Sequence, residues 1–520
     1  MKLAKSHAIS LLGLTGTPIE VEVDISAQLP AFVLVGLPDA SLNEATSRVR
    51  AACSNSGFPL PSQKVLVNLS PAAVPKSGSA FDLAIAVGVI AAMGKIPAAA
   101  LEGVCLIGEL GLDGAVRPVL GVLPMCLAAR RAGFRKVLVP AANYAEALLV
   151  EGITSVRAVS LRQVVGFLLG TAEDEGALTS PTIEPMPATD ARVTGASNRD
   201  LRDVVGQEEA VEGLIVAAAG GHHLSMIGSP GSGKTMLAER LPTILPVLDQ
   251  EQALEVAAIE SIAGGISFAN PLNLEPRFHA PHHGASMAAI IGGGVGMPRP
   301  GAASLSHGGV LFLDEAPEFN SNVLESLRQT LESGVSVIHR AAGVASFPAR
   351  FQLVLAANPC PCGHFGSIAK ECVCSYVARR RYGAKLSGPL RDRIDIRLDV
   401  KPVRNLSRLA IDGHSVDSAS ALARVEIARA AARERLRKSG YTRNSQVPGS
   451  VIKAQFNPGK TALAQLDRQL LAGKTSMRGY DRCLRVAWTI ADLAGANVPT
   501  AEHVAQAVSL RGPDQMIGVA

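Results

Sequence analysis

The chain has 520 residues, 48% of them apolar and only 4% aromatic, with 50 Gly and 32 Pro scattered along it. That length exceeds a single core and predicts about two to four domains, and the composition suits an α/β protein rather than a fibrous or disulfide-built one. The formal net charge of +5 hides an asymmetry, because residues 401–520 carry 18 Lys/Arg against 9 Asp/Glu and leave the first 400 net acidic. A basic C-terminal part predicts a polyanionic partner such as DNA, the bland alternative being solvated helix faces. The longest apolar run, Leu83 to Gly94, stops at Lys95, short of the ~20 residues a bilayer needs. Lys2 and Lys5 precede a brief apolar stretch that soon meets Glu20, Glu22 and Asp24, which makes a poor signal peptide. A cytoplasmic protein with no membrane partner is expected.

Residues 1–170 alternate strand-like and helix-like pieces and predict an α+β domain. Ile19 to Ile25 alternates apolar and acidic residues, as a half-exposed strand does, and Phe32 to Leu37, Lys64 to Leu69 and Lys136 to Val139 read as further strands. Ser41 to Ser54, Phe81 to Met93 and Leu123 to Ala132 read as helices. Two stretches, Pro75 to Asp82 (PKSGSAFD) and Gly108 to Val119 (GELGLDGAVRPV), the second continued by Ala128 to Pro140, resemble the proteolytic domain of Lon-type proteases. The resemblance implies a ribosomal-S5-domain-2-like fold, of the type also found in ChlI. In that family the first stretch supplies a serine nucleophile and the second a lysine that activates it. Here the nucleophile's place is Ala80 and the lysine's is Leu123, with Met125 nearby. Ser77 and Ser79 remain without a basic group aligned to take their proton, so the expectation is a kept fold and a lost peptidase. A different placement of Lys76 would reopen that reading.

Residues 171–198 hold Pro181, Pro185 and Pro187, five acidic residues and no periodicity, and predict a flexible linker before an ATPase core at 199–400. Gly228-Ser229-Pro230-Gly231-Ser232-Gly233-Lys234-Thr235 fills the pattern G-x-x-x-x-G-K-[ST], with an apolar stretch before it and a helix-like run after it. The glycines let backbone N–H groups turn inward round phosphate oxygens, and the following helix adds its N-terminal partial charge. Lys234 then reaches the β- and γ-phosphates of ATP, and Thr235 holds Mg²⁺. Val310 to Leu313 reads as a strand buried on both faces that delivers Asp314 and Glu315 at its end, Asp314 for the Mg²⁺ shell and Glu315 to polarise the attacking water. A third such strand, Phe351 to Ala357, ends in Asn358, whose amide can hold the water or the γ-phosphate. Ser336 to Phe347 reads as a hairpin turning near Gly343, and His279 to Gly309 is too rich in Gly and Pro for a core helix.

Leu201 to Glu208 resembles the element that opens many AAA+ modules, and the two insertions resemble those of the magnesium-chelatase and MCM branch, where they face a central pore. His279, His282 and His283 then belong to that branch's pattern rather than to a metal site. Ala280 to Gly284 (APHHG), Pro298 to Gly301 (PRPG), Asn358 to Gly363 (NPCPCG) and Leu386 to Asp395 (LSGPLRDRID) are similar to the magnesium-chelatase-like ATPases called YifB or ComM. The similarity spans essentially the whole chain. It implies a ring-forming, hexameric DNA helicase that migrates branches during natural transformation. By the same resemblance Arg393 is the arginine finger that reaches a neighbour's γ-phosphate, although Arg391 competes for the role, and Arg478 is the sensor arginine of a helical lid at 401–520 of the magnesium-chelatase C-terminal type. Arg299 and Arg340, on the two insertions, are the expected DNA contacts. Arg482 and Arg485, close to Arg478 on one helix face, are either DNA contacts or lid salt bridges.

Cys360, Cys362, Cys372 and Cys374 form a C-x-C…C-x-C group with His364 inside it. In a reducing compartment four thiols so close together favour a structural Zn²⁺ over disulfides, with free or redox-active thiols as the alternative. The fold class expected is therefore an α/β AAA+ phosphate-loop core between a Lon-like front and a helical lid. Function divides between a DNA motor, a chelatase-type motor working on a partner, and a Lon-like protease or regulator.

Overall fold

The computed structural model describes residues 2–36, 44–76, 78–171, 199–265, 272–294, 297–340, 343–366, 370–402 and 416–512. The predicted linker, apart from Thr171, lies outside these residues, as does Ser77.

The front of the chain builds a four-stranded sheet in the order Lys2–Leu12, Thr15–Ser26, Lys64–Ser70, Ala31–Val35. Its second strand shows the expected alternation: Ile19, Val21, Val23 and Ile25 face the core, while Glu20 meets Lys5 on the other side at 2.8 Å. The first strand is the surprise, since eleven residues of mixed Ala, Ser, His and Leu pair along their full length with Thr15–Ile25. Its serines are buried because their hydroxyls find carbonyls, Ser6 donating to Ala84 and Ser10 to Pro75, each at 2.8 Å. The helix Asp82–Ala92, apolar almost all round, fills the core behind this sheet. A second, parallel sheet of Val104–Leu106, Lys136–Pro140 and Thr154–Ala158 follows, with the helices Val122–Arg131 and Leu161–Leu169.

Ala80 and Leu123, the places of the nucleophile and its lysine, are both buried in apolar packing. Lys76 Nζ donates to the Pro71 carbonyl and Ser79 Oγ to Glu109, so the remaining lysine and serine are engaged by different partners.

The centre of the chain is a five-stranded sheet, every pair parallel, in the order Phe278–His279, Val310–Leu313, Gln352–Ala357, Leu224–Ile227, Ile396–Asp399. Its three inner strands are buried on both faces, which is why they read as unbroken apolar runs. The long helix Ser418–Leu436 packs on Glu208–Gly220, and Met477–Leu493 and Ala501–Arg511 complete the same core from the C-terminal side.

Front and centre share a hydrophobic cluster. Ile9, Leu11, Val122 and Leu123 meet Ala257, Ala258 and Ile262 of the helix Gln250–Ala263, and also Ile338, Ala345 and Phe347 of the predicted hairpin. Gly121 N–H donates to the Ser261 carbonyl at 3.1 Å. A Cβ on Gly121 would lie 2.6 Å from Leu11 Cδ1, and its φ of +80° suits glycine. The buried Glu146 carboxylate accepts from Ser261 Oγ at 2.5 Å, Asn143 Nδ2 at 2.6 Å and Leu123 N–H at 3.2 Å. Burial raises its pKa against those hydrogen bonds.

His223, just before the strand Leu224–Ile227, accepts the Leu353 N–H at Nδ1 (3.1 Å) and is therefore neutral with its proton on Nε2. Burial, opposed by Asp395, pushes its pKa down to about 4. An unfolded histidine titrates near 6.5, so this contribution to stability is complete above that pH and is lost as pH falls toward 4. The melting-temperature advantage of the parent over His223→Gln is expected to shrink between pH 7 and pH 4, whereas a constant gap would refute this account.

Candidate nucleotide site

The loop Gly228–Gly233 joins the buried strand Leu224–Ile227 to the helix Lys234–Arg240. Gly231 and Gly233 have φ of +76° and +93°, and a Cβ on either would meet nothing within 4 Å, so their backbone faces open space. Lys234 is buried, and its ammonium donates to the carbonyls of Gly228 (2.7 Å) and Ser229 (3.0 Å) and to Asn358 Oδ1 (3.3 Å). Burial lowers its pKa, while Asp314 and Glu315 pull the other way. Thr235 Oγ1 donates to Asp314 Oδ2 at 2.9 Å, so a hydroxyl and a carboxylate meet as the hard oxygen donors that Mg²⁺ prefers.

Glu315 follows with φ +50°, a positive value that no other described non-glycine residue shares. Such a backbone costs about 1–3 kcal/mol and persists where the surroundings enforce it. Here Asp314 Oδ1 accepts the Glu315 N–H at 2.9 Å, leaving the Glu315 carboxylate half exposed at the rim. His283 Nδ1 lies 3.5 Å from it. No spacing in the chain points to that neighbour; it arises because the edge strand Phe278–His279 pairs with Val310–Leu311 and carries the following residues to the same rim.

Arg393 and Arg478 stand elsewhere. Both line a cleft of about 1060 Å³ together with His223, Gly309 and Gln352, residues at the amino ends of the parallel strands. The phosphate-type loop is at the carboxyl ends, a strand length or about 13 Å away. In the cleft, Arg393 pairs with Glu332 and donates to the Pro389 carbonyl at 2.6 Å, and Arg478 is 3.3 Å from Asp392. Arg391 is not among the cleft's lining residues. Arg482 donates to the Arg393 carbonyl at 2.9 Å and pairs with Asp395, and Arg485 donates to the Val447 carbonyl at 2.7 Å, so both are internal ties of the lid. Arg429, Arg433 and Arg443 of the C-terminal part line the same cleft.

The two insertions lie side by side. Val335–Arg340 pairs with Gly343–Pro348, and Gly292–Gly293 with Arg299–Pro300. Ser336 Oγ donates to the Ile291 carbonyl at 2.5 Å, and a Cβ on Gly293 would sit 3.1 Å from an Arg340 guanidinium nitrogen. Arg299 and Arg340 are both exposed on this joined surface.

The sulfurs of Cys360, Cys362 and Cys372 are 3.4, 3.6 and 3.7 Å apart, and Cys374 completes a set whose donor atoms all lie within 4.8 Å of one another. A tetrahedron with Zn–S bonds of about 2.3 Å has edges of about 3.8 Å, so the four thiols fit such an ion. Among the described residues His279, His282 and His283 form no comparable group.

A parallel sheet in this order, with a phosphate-type loop after the strand next to one edge and an acidic pair two strands over, defines an AAA+ nucleotide-binding core. Family models agree: "Magnesium chelatase, subunit ChlI" matches residues 200–407, "Subunit ChlI of Mg-chelatase" residues 21–143, and "Magnesium chelatase, subunit ChlI C-terminal" residues 415–511. The chain is 48% identical over 512 residues to an uncharacterized protein of Mycobacterium tuberculosis, covering 98% of this chain and 99% of that one. It is 40% identical to the uncharacterized protein YifB of Escherichia coli (99% and 98% covered) and 38% identical to the competence protein ComM of Haemophilus influenzae (98% of each). A partial likeness of 33% identity over 101 residues links it to Lon protease 2 of Bacillus subtilis, covering 19% of this chain and 18% of that one. The chain belongs to the YifB/ComM family of magnesium-chelatase-like proteins.

Glu315→Gln keeps the shape of the rim and removes its charge. Phosphate release is expected to fall by on the order of 100-fold or more, with nucleotide affinity near the parent's. Equal loss of affinity and turnover would reduce Glu315 to a structural part.

Proposed function

We propose that this protein is an ATPase that assembles into a ring, by family likeness a hexamer, and uses ATP hydrolysis to move DNA. The observation that carries the reading is the division of the site between the two ends of one sheet. Lys234, Thr235, Asp314, Glu315 and Asn358 gather at the carboxyl ends, while Arg393 and Arg478 wait in a cationic cleft at the amino ends. One copy cannot bring the two halves together across its own sheet; a second copy, docked head to tail, can.

In this reading the loop's N–H groups and Lys234 cradle the triphosphate, and Thr235 and Asp314 hold Mg²⁺, which when bound neutralises phosphate charge. Glu315 polarises the attacking water, and Asn358 steadies it against Lys234. Arg393 of the neighbouring copy stabilises the charge that develops, with its Arg478 beside it. Arg393 rather than Arg391 takes the role, because it is Arg393 that lines the cleft. The four cysteines hold a structural Zn²⁺.

Support for DNA comes from the name of the competence protein ComM and from the paired exposure of Arg299 and Arg340 on adjoining hairpins. A role in competence or recombination, inside the cell, follows from the same relative. The Lon-like front is read as non-proteolytic, given apolar burial at Ala80 and Leu123.

Two measurements test this. Arg393→Ala is expected to lower ATP turnover by on the order of 10³-fold, and Arg391→Ala to leave it near the parent's. Mixing inactive Lys234→Ala with inactive Arg393→Ala protein should restore part of the activity, because some interfaces then join two intact halves. No recovery on mixing would refute a shared site. Separately, DNA at fixed salt should raise the ATPase rate, and Arg299→Ala with Arg340→Ala should remove that stimulation while sparing the DNA-free rate. Absence of stimulation by single-stranded, duplex and branched DNA would remove DNA as the substrate.

A further inference from the structure

The four-cysteine group lies against the nucleotide site. The strand Gln352–Ala357 delivers Asn358, whose Oδ1 faces Lys234 at 3.3 Å, and Cys360 follows two residues later, fully buried. The chain then turns tightly, Gly363 N–H donating to the Cys360 carbonyl at 3.0 Å and Phe365 N–H to Cys360 Sγ at 3.3 Å. Gly363, at φ +80°, rests on the tip of the phosphate-type loop: a Cβ there would lie 2.6 Å from Pro230 Cδ, 2.7 Å from Pro230 Cγ and 3.9 Å from Asn358 Cγ. The Cys360–Gly363 turn is therefore packed closely on Pro230, with Asn358 beside it.

Among the described residues, little else anchors this turn. Pro361, Gly366, Glu371 and Val373 are exposed, Val373 at 86%, and the helix Tyr376–Ala384 beyond them buries only Tyr382. The Arg379 guanidinium lies over the Phe365 ring at 4.1 Å, a weak cation–π contact. A segment with so few buried apolar groups depends on cross-links for its shape, and a metal bound by four thiolates supplies folding free energy directly.

We propose that the four-thiolate metal centre is a strut of the nucleotide site: the bound ion holds the Cys360–Gly363 turn against Pro230 and Asn358, so nucleotide affinity depends on metal occupancy. The inference rests on the readings of the loop as a nucleotide site and of the cysteines as a zinc site. Cys360, Cys362 and Gly363 are then positioning residues, acting through Pro230 and Asn358 on the phosphates.

The test uses full-length protein and a fluorescent ADP (mant-ADP) as probe. As purified, or after addition of ZnCl₂, the chain should hold about one Zn²⁺ by elemental analysis. Stripping the metal with a chelator under reducing conditions should weaken mant-ADP binding on the order of 10- to 100-fold, with far-UV dichroism kept and affinity restored by Zn²⁺. Gly363→Ala, which retains all four cysteines and the metal but pushes on Pro230, should weaken binding in the same direction without any stripping. Unchanged affinity in both the stripped protein and Gly363→Ala overturns the proposal, as does a chain that takes up no Zn²⁺. Lys234→Ala separates the failures. If it binds mant-ADP like the parent, the nucleotide reading of the loop has fallen; if it loses binding while stripping changes nothing, only the strut has fallen.

Discussion

The buried carboxylate of Asp395 is the contact on which the rest of the architecture turns. It sits at the foot of the strand Ile396–Asp399, is 2% exposed, and is paired with Arg482 and with His222 Nδ1 at 3.2 Å. Despite its burial, Arg482 and His222 hold its pKa well below the ordinary carboxylate range. Removing either partner would leave a buried charge poorly compensated, so the three form a unit that is costly to break. Each partner reaches further. His222 Nε2 meets Thr489 Oγ1 at 2.8 Å; Thr489 accepts from Asn444, and Asn444 and Arg435 both donate to Asp492. Arg482 also donates to the Arg393 carbonyl. One desolvated acid thus ties the central sheet, the C-terminal helices and the backbone of Arg393 into a single body.

That body explains why the sheet's two ends can carry different chemistry. Parallel strands send all their carboxyl ends one way, and the loops there gather Lys234, Asp314 and Asn358 without any long-range contrivance. Their amino ends gather what precedes each strand, which here includes Arg393, and the lid that follows the last strand folds back beside them with Arg429, Arg443 and Arg478. Burial first, and neighbouring arginines second, lower the pKa values of Arg429 and Arg443, and the cleft is lined by eight arginines against six carboxylates. An incoming polyphosphate would relieve that imbalance.

Much of the nucleotide site was legible because its elements advertise themselves. Val310–Leu313 and Gln352–Ala357 are buried on both faces, so their apolar runs are unbroken and end abruptly at Asp314 and Asn358. Gly231 and Gly233 are required by the backbone itself, independent of distant packing. What escaped was whatever depended on partners far along the chain. The first strand is made of small and polar residues whose burial makes sense only once the Ala84 and Pro75 carbonyls are in place. The edge strand Phe278–His279 is two residues long, below any detectable period. The roles of Arg482 and Arg485 rested on Asp395 and on the Val447 carbonyl, which no local pattern names. The basic excess of the last 120 residues is divided: Arg429, Arg443, Arg482 and Arg485 turn to the cleft, while Arg437, Lys438, Lys460, Arg468 and Lys474 are exposed.

The hairpin Val335–Arg340/Gly343–Pro348 is fastened both to the other insertion and to the first sheet. Ile338, Ala345 and Phe347 are sunk against Ile9 and Leu11, a Cβ on Gly13 would lie 3.0 Å from the Ser346 carbonyl oxygen, and Val337 and Val344 look outward. A ribbon glued to a sheet in this way cannot bend like a free loop. Any displacement of its two strands is therefore shared with the first sheet.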